Sequence, residues 1–149
     1  MALNANQIPV YGITPKTSVG NLNAATAGSM GTTTNAVTVV TAGSNGCIID
    51  SLVANTTDTA AVNLFVSIVD SAGTGVRPLG IVNVPLNSGN AANVLNVDVL
   101  NSAVLVGMTV DQNGKRIIRL APSETLRVST LANMTAAKNC YVTAQYTDL

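Results

Sequence analysis

Four basic side chains, Lys115, Arg116, Arg119 and Arg127, fall within thirteen positions and form the densest run of chemically active groups in the chain. A guanidinium offers paired N–H donors to the oxygens of a phosphate or a carboxylate. Nucleic acid is the poorer match, because stacking on bases needs aromatic rings and the chain has three Tyr and one Phe, none interleaved with these residues. Strand alternation over 115–120 puts Lys115, Ile117 and Arg119 on one side and Arg116, Ile118 and Leu120 on the other. That pattern favours solvated faces and ion pairing. The functional alternative is partner binding, in which these groups meet carboxylates of another protein, and truncating Arg119 or Arg127 would then weaken docking without unfolding the monomer.

The rest of the catalytic inventory is thin. There is no histidine, so the chain cannot supply a Ser-His or Cys-His nucleophile or a His-based zinc site by itself. The acids Asp50, Asp58, Asp70, Asp98, Asp111, Glu124 and Asp148 are scattered, with no doublet and no calcium-loop spacing. Asp98 and Asp111 can approach each other in a folded sheet, but without a third carboxylate or an imidazole they make poor acid–base partners. Gly73-Thr74-Gly75 is followed by Val76-Arg77-Pro78 and reads as a turn, not as a dinucleotide fingerprint. Cys47 and Cys140 stand far apart and read as two buried thiols acting as small hydrophobes, with a single bridge as the alternative under oxidising conditions. No catalytic residue, cofactor or metal site is assigned.

Composition sets the frame for these residues. A chain of 149 residues and 15.1 kDa fits one domain, burying about two-thirds of its unfolded surface. Seven bases balance seven acids, so no net field steers the protein to nucleic acid or to a membrane. Hydrophobic residues make up 47% and charged residues 9%, which excludes disorder driven by charge repulsion. The start, Met1-Ala-Leu-Asn-Ala-Asn, has neither a basic nor an apolar leader segment, and no apolar run reaches membrane-spanning length, so synthesis in a cytosol is expected.

Residues 1–35 carry one charge, Lys16, among Asn, Thr, Gly, Ala and Ser, and read as an extended N-terminal arm that orders against a neighbouring subunit, with a disordered tail as the alternative. From Ala36 the texture changes to short runs of Val, Ile, Leu and Thr broken every eight to twelve residues by turn-forming residues. Strands are expected near 36–41, 46–54, 61–69, 79–84, 93–100, 104–110, 116–120, 125–130 and 140–147. In the clearest of them Val62, Leu64, Val66 and Ile68 share one face, and the last turns Cys140 inward. Asp111-Gln112-Asn113-Gly114 predicts a tight type I′ hairpin. The fold class is therefore all-β: an antiparallel β-sandwich, jelly-roll-like, over 36–149, carrying the extended arm. Apolar pairs such as Ile48-Ile49, Val39-Val40, Leu64-Phe65 and Val104-Leu105-Val106 put greasy side chains on both faces, which calls for cover from the arm or from another subunit.

The succession Ile48-Ile49-Asp50-Ser51-Leu52-Val53-Ala54-Asn55-Thr56-Thr57, then Val62–Asp70 with Ser71-Ala72-Gly73, then Val110-Asp111-Gln112-Asn113-Gly114, Leu120–Val128 and Tyr141–Tyr146, resembles small tailed-bacteriophage virion proteins, most of all capsid decoration or cement proteins. The resemblance covers about two-thirds of the chain and lies in texture and turn placement. It implies a non-enzymatic protein of the capsid surface, made in the host cytoplasm, that forms homodimers or homotrimers and clamps neighbouring major capsid proteins, without direct contact to nucleic acid or membrane. The rival readings are another virion part, such as a tail, neck, fibre or receptor-binding module, and a carbohydrate-binding sandwich. The second lacks an aromatic platform, having no Trp and only Tyr11, Tyr141 and Tyr146.

Overall fold

The computed structural model describes residues 14–23 and 27–149, and its described residues contain ten strands and no helix. In chain order the strands are β1 (Thr14–Asn23), β2 (Val37–Thr41), β3 (Cys47–Thr56), β4 (Val62–Val69), β5 (Val76–Val84), β6 (Val97–Asp98), β7 (Thr109–Val110), β8 (Arg116–Leu120), β9 (Thr125–Thr130) and β10 (Asn139–Asp148). One sheet runs β1-β10-β3-β8-β7, with β6 beside β3, and the other runs β2-β9-β4-β5. Every pairing is antiparallel. The pairs β1·β10, β2·β9, β3·β8 and β4·β5 nest like the rungs of one long hairpin, folded so that successive rungs alternate between the two sheets.

Alternation then fills the space between the sheets. Leu52, Ala54, Val142 and Ala144 from one sheet and Leu64, Val66, Leu126 and Val128 from the other belong to a single buried cluster, which Cys140 joins. The antiparallel sandwich read from the sequence is thus the fold, and the inward face of Val62, Leu64, Val66 and Ile68 is as expected.

Three ladders carry irregularities in register, and one of them resolves the apolar doublet Val39-Val40. Between Thr38 and Val40 the β2·β9 ladder gains one residue, so that Val39 and Val40 both enter the core. The β5 ladder skips Leu79, which is also buried. Asp50 is the extra residue of β3, and the shift carries the inward phase from Cys47 and Ile49 to Leu52, Ala54 and Thr56. Phe65 and Val69 point away from the core between the sheets and are still buried, flanked in register by Ile81 and Ser129 and by Val76 and Thr125.

Four expectations change. The strand expected at 93–100 shrinks to Val97–Asp98, because Asn93 takes a left-handed φ of 71° and the Asp98 carboxylate accepts from Asn101 N, making a turn. The strand expected at 104–110 shrinks to Thr109–Val110, because Ser102 O accepts from Leu105 N and Gly107 is left-handed. The hairpin at 111–114 forms, but not as type I′: only Gly114 has positive φ, and Asp111 Oδ1 accepts from the backbone N–H groups of Asn113 and Lys115. Within the span read as an arm, Thr14–Asn23 pair along their whole length with β10 of their own chain. Residues 1–13 and 24–26 of that span lie outside the described residues.

One end of the sandwich is pinned by Asp58, whose buried carboxylate accepts from Ala60 N at 3.1 Å, Thr135 N at 2.9 Å and Thr135 Oγ1 at 2.6 Å. Burial alone would push this carboxyl up, but the bonds from Thr135, Ala60 and Thr59 outweigh it and hold the carboxyl below its ordinary 3.8. Asp70, bonded by the Gly75 and Thr74 backbone, shifts in the same direction. A lowered folded-state pKa stabilises at neutral pH, and that contribution disappears as the pH falls through it. Unfolding free energy measured by urea titration should therefore be flat down to about pH 5 and decline below about pH 4. Replacing Asp58 by Ala should cost about 2–4 kcal/mol at pH 7, and Asp58→Asn should flatten the acid limb; an unchanged acid limb in that variant would refute the assignment.

Candidate interaction surface

The four basic residues do not converge. β8 and β9 belong to different sheets, so Arg119 stands exposed on the outer face of one sheet, opposite Ile48, while Arg127 lies on the outer face of the other. Arg127 is half-buried and donates from Nε to Thr125 Oγ1 at 3.1 Å. Lys115 is exposed at the hairpin.

Arg116 turns the other way, toward its own chain. Its Nη1 donates to Ser102 O at 2.6 Å and its Nη2 to Leu105 O at 2.9 Å. Both carbonyls belong to the segment that closes the side of the sandwich between β7 and β5. Val106 N donates to Leu79 O at 2.8 Å on β5, and Val99, Leu100 and Leu105 are buried beneath. Gly80 makes the approach possible: its φ is 155°, and a Cβ placed there would lie 2.6 Å from Val104 O. Fixed in this way, the backbone holds Val104 at 54% exposure, Val106 at 63% and Val110, on neighbouring β7, at 56%. Leu95, in the preceding connection, is 85% exposed. Scattered exposed apolar residues are ordinary on a protein surface; here three valines fall within seven positions on a stretch whose conformation is set by ionic hydrogen bonds and buried neighbours.

Among the described residues, no other place brings together groups of comparable chemical interest. A cleft of about 290 Å³ on the outer side of the first sheet is bordered by Lys16, Thr17, Asp50, Gln145, Tyr146 and Thr147. Its Lys16 is already paired with Asp148, whose hydrogen bond and charge raise the lysine pKa. Asp98 and Asp111, the acid–base candidates, are each engaged in their own turn. Burial pushes the Cys47 thiol up to about 11 and the Cys140 thiol up to about 12, so both stay protonated at neutral pH and are poor nucleophiles. Both cysteines are free and buried, as two apolar thiols should be. Among the described residues no group of three His, Cys, Asp or Glu is placed to hold a metal ion.

Two ionic contacts escaped the sequence reading: Arg77 with Glu124, and Lys16 with Asp148. Their partners lie 47 and 132 residues apart, and no local pattern marks such pairs. The Arg116 brace left only a faint mark, its position on the inward side with Ile118 and Leu120.

No protein-family model matches the chain, and no curated protein does. A solved structure described as the cyanophage Pam1 capsid asymmetric unit aligns over 99% of each chain at 17% identity, with a TM-score of 0.38. A score at that level does not establish a shared fold and carries nothing about function.

Substituting Arg116 by Met should lower the unfolding free energy by about 2 kcal/mol and speed amide exchange at Val106, read by urea titration and hydrogen exchange. Lys115→Ala and Arg119→Ala should stay within about 0.5 kcal/mol of the parent. Unaltered exchange at Val106 in the Arg116 variant would show that other contacts hold the segment.

Proposed function

We propose that this chain is a non-enzymatic virion structural protein that self-associates and cements the outside of a tailed-phage capsid, stabilising contacts between copies of the major capsid protein. The observation that carries this reading is the display of Val104, Val106 and Val110 on a backbone fixed by Arg116, Gly80 and the bond from Val106 to Leu79. Apolar side chains on a stiff support lose little conformational entropy when covered, so more of their burial, about 25 cal/mol per Å², appears as affinity. A single contact of this size is weak. Repeated around a symmetric shell by many copies, it resists opening because every copy must release its surface.

Other features support the same reading. With 9% charged residues and no net charge, the surface offers little long-range steering, as suits a lattice contact more than capture of a charged ligand. The nested winding of the strands supports reading the sandwich as jelly-roll-like. The resemblance to decoration proteins in texture and turn placement points the same way, and the exposed Lys115 and Arg119 are free to meet acidic groups of the shell.

The test is particle stability. Shells prepared without this chain should lose contents at lower temperature and under milder osmotic shock, and adding purified protein should restore the resistance in proportion to occupancy. Val104→Asp with Val106→Asp should weaken shell binding about tenfold or more, equivalent to about 1.4 kcal/mol, while leaving the melting temperature of the free protein within a few degrees. Equal robustness with and without the chain, or a few copies confined to the tail, would overturn the proposal.

A further inference from the structure

We infer that the open edge of β1 is a self-pairing site, where a second copy of this chain adds its own β1 antiparallel across a two-fold axis at Val19. Every other sheet edge among the described residues is shortened or covered. β7 is two residues long. β5 carries Pro78, an irregular register at Leu79, and the Val106 N–H bonded to the Leu79 carbonyl. β2 has five residues, is interrupted at Val39, and gives the Val39 carbonyl to the Ser18 hydroxyl at 2.6 Å.

β1 differs in each respect. It has ten residues, keeps unbroken register with β10, and among the described residues no strand forms a ladder along its other edge, although β2 packs against its Ser18 and Gly20. In an antiparallel ladder alternate residues turn both backbone groups outward, so about half of the N–H and C=O groups of an edge strand are left to water. Proline and lysine normally block such edges. Here Pro15 sits at the very start of the strand, and Lys16 is drawn onto Asp148 of its own chain.

A second copy is the occupant that fits. The stretch Thr17-Ser18-Val19-Gly20-Asn21 carries no charge, so two copies meet without repulsion. Val19 is 56% exposed at its centre; with the axis there, Val19 meets Val19 and Thr17 meets Asn21. An isologous contact of this kind closes on itself and does not propagate. It joins the β1 sheets of two molecules into one, and names the self-association that the capsid reading requires while being a property of the free chain. A pairing this short buries less than the roughly 1,600 Å² of a standard interface, so the free protein should associate weakly and the shell should supply the avidity.

Sedimentation equilibrium of the full chain from about 10 μM to about 1 mM should show the mass rising from 15.1 kDa toward twice that value. Amide exchange over Thr17–Asn21 should slow in parallel. Val19→Lys, which places two ammonium groups at the axis, should reduce the association constant at least tenfold with an unchanged circular dichroism spectrum, and Val19→Ile should retain it. If Val19→Lys does not fold, the concentration dependence of exchange in the parent chain decides by itself. A monomer throughout, or a dimer untouched by Val19→Lys, would overturn the inference, as would protection of β1 that appears only on shells. Loss of shell stabilisation with the dimer intact would count against the capsid reading alone.

Discussion

Packing two sheets face to face is the main gain this chain makes on folding. With charged residues at 9%, few ion pairs are available, and the two found among the described residues have exposed cations, where such pairs contribute little. Stability must come from Leu52, Ala54, Val142 and Ala144 closing on Leu64, Val66, Leu126 and Val128, each large side chain contributing about 1.5–3 kcal/mol. The nested strand order follows from the same demand, because each rung of the long hairpin has one greasy face that only the other sheet can cover.

Seen against that demand, the irregular ladders are devices for fitting sequence to core. A strand with period two can send only alternate residues inward, so an apolar doublet leaves one partner outside. The extra residue at Val39 breaks the period where two consecutive side chains are wanted inside, and the one at Leu79 adds a buried side chain next to Gly80, which has none. Asp50 does the reverse: a polar residue takes up the added length and the inward phase resumes at Leu52. Much of the greasiness that the sequence puts on the wrong face is thus absorbed within the monomer. What remains outside includes Val104, Val106 and Val110 within seven positions, with Val19, Met30, Leu86 and Leu95 elsewhere along the chain.

How much of this was legible depended on distance along the chain. Local alternation in Val62–Val69 and Arg116–Leu120 located those strands, and their inward faces followed. The hairpin at 111–114 was visible in its Asp and Asn-Gly, although the Asp111 side chain, by accepting two backbone N–H groups, chose a different turn from the one Asn-Gly alone favours. β1 was hidden because Thr, Ser, Asn and Gly dominate it and its partner lies more than a hundred residues away. The apparent strand at 104–110 alternates as a strand should, but Arg116 takes the carbonyls of Ser102 and Leu105, and Gly107 bends the chain. The Asp58 anchor was equally unreadable, since its chief donor is Thr135, 77 residues on. The basic residues looked like one cluster in sequence, and the alternation between sheets separates them.

The pairing of β1 with β10 places Thr14 opposite Asp148, so the two ends of the described fold meet at one corner. Load applied between those ends would open the ladder one rung at a time, beginning with Lys16 and Asp148, because the strands separate like a zipper. Load applied along the strands would have to slide all ten partnered positions at once. Pulling Thr14 and Asp148 apart is consequently the mechanically soft way to load this molecule, whereas a grip on the faces of the sheets engages the whole ladder together.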